Sequence, residues 1–218
     1  MTVMLERPTP IEPPDGPPGF EALCRTLLRM EVPDGYRAEV IRGSIVMSPW
    51  AKGFYFRVME SIREQLREHV PEGDTCGDAP FLFTFPGQES AYGPDVYVAA
   101  RGAFETTKRY IDGEALTLVA ELTSPSTRGD DWGDKVRVYG EAGVPVYLLL
   151  DMEEKSATVF WEPSARSYTS HTTVPFGKTL HVPAPFDCEV DTGGFAPPAT
   201  EGVKETAEGA GGGEQEPG

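Results

Sequence analysis

The segment that most limits the fold is "ALTLVAELTSPSTRGDDWGDKVRVYGEAGVPVYLLLD", residues 115–151. The apolar run at 115–122 reads as a strand, the amphipathic stretch at 130–142 as a helix, and the apolar run at 145–151 as a strand buried on both faces. Strand, helix and strand in this order make a β-α-β step, which sets two strands parallel in one sheet. The first strand ends in a carboxylate, Glu121, where an unpaired charge is costly to bury. Its partner has to come from elsewhere in the chain.

The remaining pattern alternates short strands with two helices. Residues 20–30 put Phe20, Leu23, Leu27 and Leu28 on one helical face. "YRAEVI" and "SIVM" form a hairpin that turns at Arg42-Gly43, where glycine allows positive φ. Residues 52–70 give the clearest helix, with Phe54, Val58, Ile62 and Leu66 on one stripe, stopped by Pro71 and Gly73. "DTCG", "PFLFTF" and "PDVYVA" read as short strands, "PGQESAYG" as a loop, and 101–114 as a polar connection. "ATVFWEP", "SYTSHTTV" and "KTLHV" continue as antiparallel strands. The expected fold class is α/β, or mixed α+β: one domain with a central mixed β-sheet flanked by helices.

Composition sets the domain limits. The Pro-rich start, residues 1–19, and the Gly- and Glu-rich tail, residues 192–218, hold too few apolar side chains to offset the entropy of ordering. Both are expected to be disordered, leaving a domain at 20–191. No apolar run approaches the roughly 18–20 residues of a membrane span, and no basic-then-apolar leader opens the chain. The expectation is a cytoplasmic protein without a membrane partner. Cys24, Cys76 and Cys188 are odd in number and lack a CxxC pair, so they read as reduced thiols. His69, His171 and His181 lack zinc-ligand spacing. A net charge of −16 counts against a broad nucleic-acid-binding face.

No phosphate-binding glycine loop and no GxSxG elbow is present. Ser124 and Ser126 in "TSPST" read as turn and capping residues. What remains is acids at strand borders: Glu39 in "YRAEVIRG", Asp95 in "YGPDVYVA", and Glu121. One such acid can be a salt-bridge partner, but three in a small sheet suggest a shared cation. Strand alternation puts Thr123 on the same side as Glu121, with Leu122 facing away. A carboxylate, a spacer carbonyl and a hydroxyl that positions water form a compact set, and such hard oxygen donors suit Mg²⁺ or Mn²⁺. Lys135 flanks the helical stripe of Trp132, Val136 and Tyr139 and can lean toward Glu121. Its simpler reading is a solvated lysine paired with Asp131. Asp130, Asp131 and Asp134 read as acids favoured in a first helical turn.

Taken in order, "EVIRGSIVMSP", "GPDVYVA" and "LVAELTSPSTRGDDWGDKVRVYGEAGVPVYLLLD" resemble the Uma-type restriction endonuclease family, within the PD-(D/E)XK nuclease superfamily. The resemblance spans roughly residues 20–190. It implies a restriction-endonuclease-like core, with Asp95 and Glu121 holding Mg²⁺ or Mn²⁺ and Glu39 completing the acidic site. Catalysis would fall to Glu39, Asp95, Glu121, Thr123 and Lys135, DNA would be the substrate, and a homodimer would cut both strands. Thr123 stands where the superfamily triplet carries lysine, and Lys135 is placed to supply that cation. "SPWAKGFYFRV" lacks a histidine that many relatives carry after the Met-Ser-Pro segment. Arg63, Arg67, Lys108, Arg109 and Arg128 are candidate phosphate contacts. The alternative is a catalytically inactive nuclease-like fold that serves as a protein-interaction or assembly module.

Overall fold

The structure is a computed structural model that describes residues 15–16, 18–78 and 81–198. Helix α1 (Pro18–Leu27) leads to the hairpin of β1 (Tyr36–Ile41) and β2 (Ser44–Pro49), then to helix α2 (Tyr55–Leu66). Short strands follow: β3 (Asp74–Gly77), β4 (Phe83–Phe85), β5 (Ser90–Tyr92), β6 (Val96–Ala100) and β7 (Ile111–Asp112). The β-α-β step runs through β8 (Leu116–Leu122), α3 (Arg128–Asp130), a π-helical turn (Asp131–Lys135), α4 (Val136–Glu141) and β9 (Val146–Asp151). Strands β10 (Ser156–Pro163), β11 (Tyr168–Pro175), β12 (Thr179–Val182) and β13 (Cys188–Asp191) complete the described chain.

Six strands make the central sheet, in the order β11-β10-β9-β8-β6-β3. β8 and β9 pair parallel, as the β-α-β step requires, and the other neighbours pair antiparallel. The sheet is therefore mixed and the fold is α/β in class. The first hairpin lies outside it, in a second sheet ordered β2-β1-β5-β4-β7, and β12-β13 form a separate ribbon.

Side-chain alternation explains how the layers stack. Leu118, Ala120 and Leu122 of β8, with Val146, Leu148 and Leu150 of β9, cluster with Tyr55, Val58, Ile62 and Leu66 of α2. Val119, Tyr147 and Leu149 face the other way, among Val136, Val138 and Tyr139 of α4 and Phe83, Phe85 and Tyr92 of the second sheet. Each large apolar side chain withdrawn from water contributes about 1.5–3 kcal/mol. The next residue after Val119 on that second face is Glu121. The periodicity that fills the core thus delivers a carboxylate between the central sheet, α4 and the second sheet.

Local details depart from the sequence expectations. Tyr55, not Phe54, completes the buried stripe of α2; Phe54 is half-buried and packs edge-on to Tyr55, with ring centroids 4.7 Å apart. The expected loop at 86–93 contains β5, which pairs with both β4 and β1. Three residues are too few to display alternation, and Glu89 turns the chain into them with φ of 49°. Packing continues past residue 191: Thr192 and Phe195 are buried, and Phe195 meets the ring of Phe176 at 5.8 Å. The expected disorder at 1–14 and 199–218 lies outside the described residues. No helix among the described residues is long and apolar enough to cross a membrane.

Candidate active site

Four carboxylates and two cations meet where β1, β6, β8 and the π-helical turn converge. Glu39 comes from β1, Asp95 stands just before β6, Glu121 is near the end of β8, and Asp131 opens the π turn that Lys135 closes. All five are buried. The Lys135 ammonium lies 3.0 Å from Glu121 Oε1, 3.2 Å from Asp131 Oδ1 and 3.3 Å from Glu39 Oε2. It also lies over the Tyr92 ring, 5.5 Å from the centroid. Lys135 is only 1 % exposed, which excludes the solvated reading.

Glu39, Glu121 and Asp95 are also tethered outside the Lys135 contacts. Glu39 Oε1 accepts from the Gly93 backbone N–H at 2.7 Å. Glu121 Oε1 accepts from the Tyr139 hydroxyl at 3.0 Å. Asp95 Oδ2 accepts from the Leu122 N–H at 2.8 Å, which ties the start of β6 to the end of β8. Its Oδ1 lies 3.1 Å from Arg37 Nη1, and Arg37 also donates to Gly93 O and Ser48 Oγ. π-helical turns occur often at functional sites, and this one carries Asp131 and Lys135 inward together.

Thr123 does not join the group. Its Oγ1 accepts from the Met152 N–H at 3.3 Å, its N–H donates to Leu150 O, and its carbonyl accepts from the Tyr55 hydroxyl. These contacts lock the ends of β8 and β9. The chain has left β8 after Leu122, so strict alternation no longer aims residue 123.

The electrostatics show a site short of positive charge. Burial pushes the Glu121 carboxyl up to about 8, against the pull of Lys135 and with help from Asp95, Asp131 and Glu39. Burial also raises Asp95, against Arg37. Burial alone would lower the Lys135 ammonium, but Glu121, Glu39 and Asp131 outweigh it and hold it well above the ordinary lysine value. With every group ionised, four carboxylates face two cations. Carboxylate oxygens are the donor type that a divalent cation such as Mg²⁺ or Mn²⁺ takes. The side-chain arrangement is not a chelate: among the described residues no group of three or more His, Cys, Asp or Glu is disposed to hold a metal ion. Lys135 stands at the point where three of the carboxylates converge.

Two openings reach the site. A cleft of about 540 Å³ touches Glu39, Asp95 and Arg37, and Arg109 also lines it. A slot of about 20 Å³ touches Glu39, Asp131 and Lys135. The other candidate phosphate contacts lie differently. Arg63 pairs with Asp78 at 2.8 Å, Arg128 with Asp151 at 2.7 Å, and Lys108 lies over the Tyr110 ring. Arg67 lines a separate hollow with Arg63 and Arg101.

Sequence reasoning missed Arg37, Asp131 and Tyr139 as members of the site. Arg37 is two residues before Glu39 on the same strand face, so alternation carried the signal. Tyr139 is one turn beyond Lys135, and its stripe was read only as packing. Asp131 was read as helix-end charge, and burial alone distinguishes it from Asp130.

Comparison with known proteins follows this geometry. The model of the family described as "Uma2: Putative restriction endonuclease" matches residues 24–193. No curated protein matches the chain. The fold is similar to the crystal structure of a "putative nuclease belonging to DUF820" from Anabaena variabilis ATCC 29413, with a TM-score of 0.56 and 17% identity over 73% of this chain and 88% of that one. At that identity the likeness concerns the fold, while the family match covers most of the chain and its site residues: this chain belongs to the Uma2 family of putative restriction endonucleases.

Proposed function

We propose that this chain is a divalent-metal-dependent endonuclease that hydrolyses DNA phosphodiester bonds. The observation that carries the reading is the convergence of Glu39, Glu121 and Asp131 on Lys135, with Asp95 hydrogen-bonded to the residue after Glu121. Asp95 and Glu121, with Glu39, would hold Mg²⁺ or Mn²⁺. The ion, when bound, supplies a water of lowered pKa and offsets charge on the phosphate.

The chain's own groups have separable tasks. Lys135 stays an ammonium at neutral pH, so it donates and does not act as a base. It orients the attacking water or meets the charge that develops on a phosphate oxygen. Arg37 holds Asp95, and Tyr139 holds Glu121. The proposal includes the homodimer and the cytoplasmic setting expected from the sequence; sedimentation tests the first.

A second reading, a nuclease-like fold without catalysis, draws on the same contacts: Arg37 and Lys135 already neutralise much of the acidic group, and Thr123 is engaged elsewhere. Nicking of supercoiled plasmid separates the two. The nuclease reading expects Mg²⁺- or Mn²⁺-dependent nicking that falls by about 100-fold or more in Glu121→Gln and Asp95→Asn. Nicking that is absent, or that survives both substitutions, favours the silent fold.

A further inference from the structure

The 540 Å³ cleft that reaches Asp95 and Glu39 is walled mainly by apolar groups: Leu27, Leu28, Trp50, Met59 and Phe81. Two of these are large aromatics left open, Trp50 at 58 % and Phe81 at 42 % exposure. Phe81 makes edge contacts to Phe104 at 5.4 Å and Tyr97 at 6.2 Å, which support its ring. The Trp50 backbone N–H donates to Gly35 O at 2.9 Å, which holds the chain at the end of the first hairpin while the ring stays open. Two open aromatics on the wall of one apolar cleft mark it as a candidate binding surface.

Resting on the nuclease reading, we infer that this cleft takes an unpaired nucleobase of the substrate, stacked on Trp50 and Phe81, with the adjoining phosphate directed at Asp95 and Glu39. The cleft is continuous with the acidic group, so whatever fills it abuts the reacting atoms. Its size lies within the roughly 300–1,000 Å³ range of ligand sites, enough for a nucleotide. Arg109 lies on its wall and can face a neighbouring phosphate, while Arg37 on the same wall is engaged by Asp95, and Asp78 by Arg63. A net charge of −16 leaves few cations for the many phosphate contacts of a duplex, whereas stacking on base faces adds binding to the few cations the cleft holds. The substrate class is therefore DNA that is single-stranded, or locally unpaired, at the cut.

Binding to a short fluorescein-labelled oligonucleotide, read by anisotropy without added divalent metal, tests this directly. The single strand should bind at least about tenfold tighter than the same sequence as a duplex, and Trp50→Ala should weaken single-strand binding about tenfold. Trp50→Phe should keep most of the affinity, and Phe81→Ala gives an independent second loss. Trp50 is exposed, so the melting temperature of Trp50→Ala should match the original and exclude misfolding. Equal binding of duplex and single strand, binding of neither, or unchanged binding by Trp50→Ala overturns the assignment. Plasmid and oligonucleotide cleavage run in parallel separates it from the nuclease reading. Trp50-dependent strand binding without metal-dependent cleavage keeps the stacking cleft and removes the nuclease. Cleavage that ignores both strandedness and Trp50 does the opposite.

Discussion

The ammonium of Lys135 lies 3.0 Å from Oε1 of Glu121, and both residues are 1 % exposed. The pair joins the end of β8 to the helix that crosses over to β9, and two more carboxylates share the same ammonium. A buried charge cluster of this kind adds little net stability, but removing one sign from it leaves the other without compensation.

Lys135→Met should therefore lower the free energy of unfolding by about 3–5 kcal/mol. Glu121→Gln should cost less, because Glu39 and Asp131 still pair the ammonium. Urea titration measures both. A Lys135→Met variant as stable as the original would mean that the ammonium sits in water and not among the acids.

Tyr139→Phe removes a single hydroxyl that donates to Glu121 at 3.0 Å. The expected loss of stability is about 0.5–1.5 kcal/mol. Cleavage should fall further than stability does, because Glu121 loses the contact that orients it. Rates measured well below the melting temperature separate the two effects.

Two glycines of the split helix should respond with opposite signs. A Cβ on Gly140 would overlap the Ser167 backbone, so Gly140→Ala should cost about 1–3 kcal/mol or more. Gly133, inside the π turn, has nothing within 4 Å of its would-be Cβ. Gly133→Ala should gain about 0.5–1 kcal/mol through a less flexible unfolded chain. Thermal unfolding of both variants checks the contrast.

Much of the site was legible before the structure, for reasons specific to each residue. Glu39, Asp95 and Glu121 stood out because a carboxylate at the border of an apolar strand needs a partner. Lys135 stayed ambiguous, because its spacing from Asp131 fits a solvated ion pair as well as a buried one. Only the π turn and the packing of the second sheet bury it. The second sheet was itself illegible: β5 and β7 are three and two residues long, below the length at which alternation shows. Thr123 was placed by carrying alternation one step past the strand end, and its hydroxyl meets the Met152 N–H there. Phe195 was hidden in a Gly- and Pro-rich stretch whose composition resembles the tail.

Asp151 gives a pH prediction. Burial opposes its ionisation, but the Glu154 N–H, the Trp132 indole and Arg128 outweigh that and hold its carboxyl below the ordinary value of 3.8. The folded state thus binds this proton less tightly than the unfolded chain does. The associated stability is fully present above about pH 4 and is lost as the pH falls through the lowered value. Asp151→Asn should narrow the gap to the original under acid: clearly less stable at neutral pH, and nearer to it at about pH 3. Because Asp151 anchors Arg128 and Trp132, the variant should also loosen the start of the π turn. Urea midpoints across pH, with indole fluorescence as the readout, test both statements.

The carboxylates of Glu39 in β1, Asp95 just before β6 and Glu121 in β8 are proposed to act together on one divalent ion. Titration of Mn²⁺ into the original chain, with free Mn²⁺ followed by electron paramagnetic resonance, tests this most directly. The account predicts one saturable site per chain that is lost in Asp95→Ala and in Glu121→Gln while both variants remain folded. Equal Mn²⁺ uptake by the original and the variants, or none by the original, would contradict it.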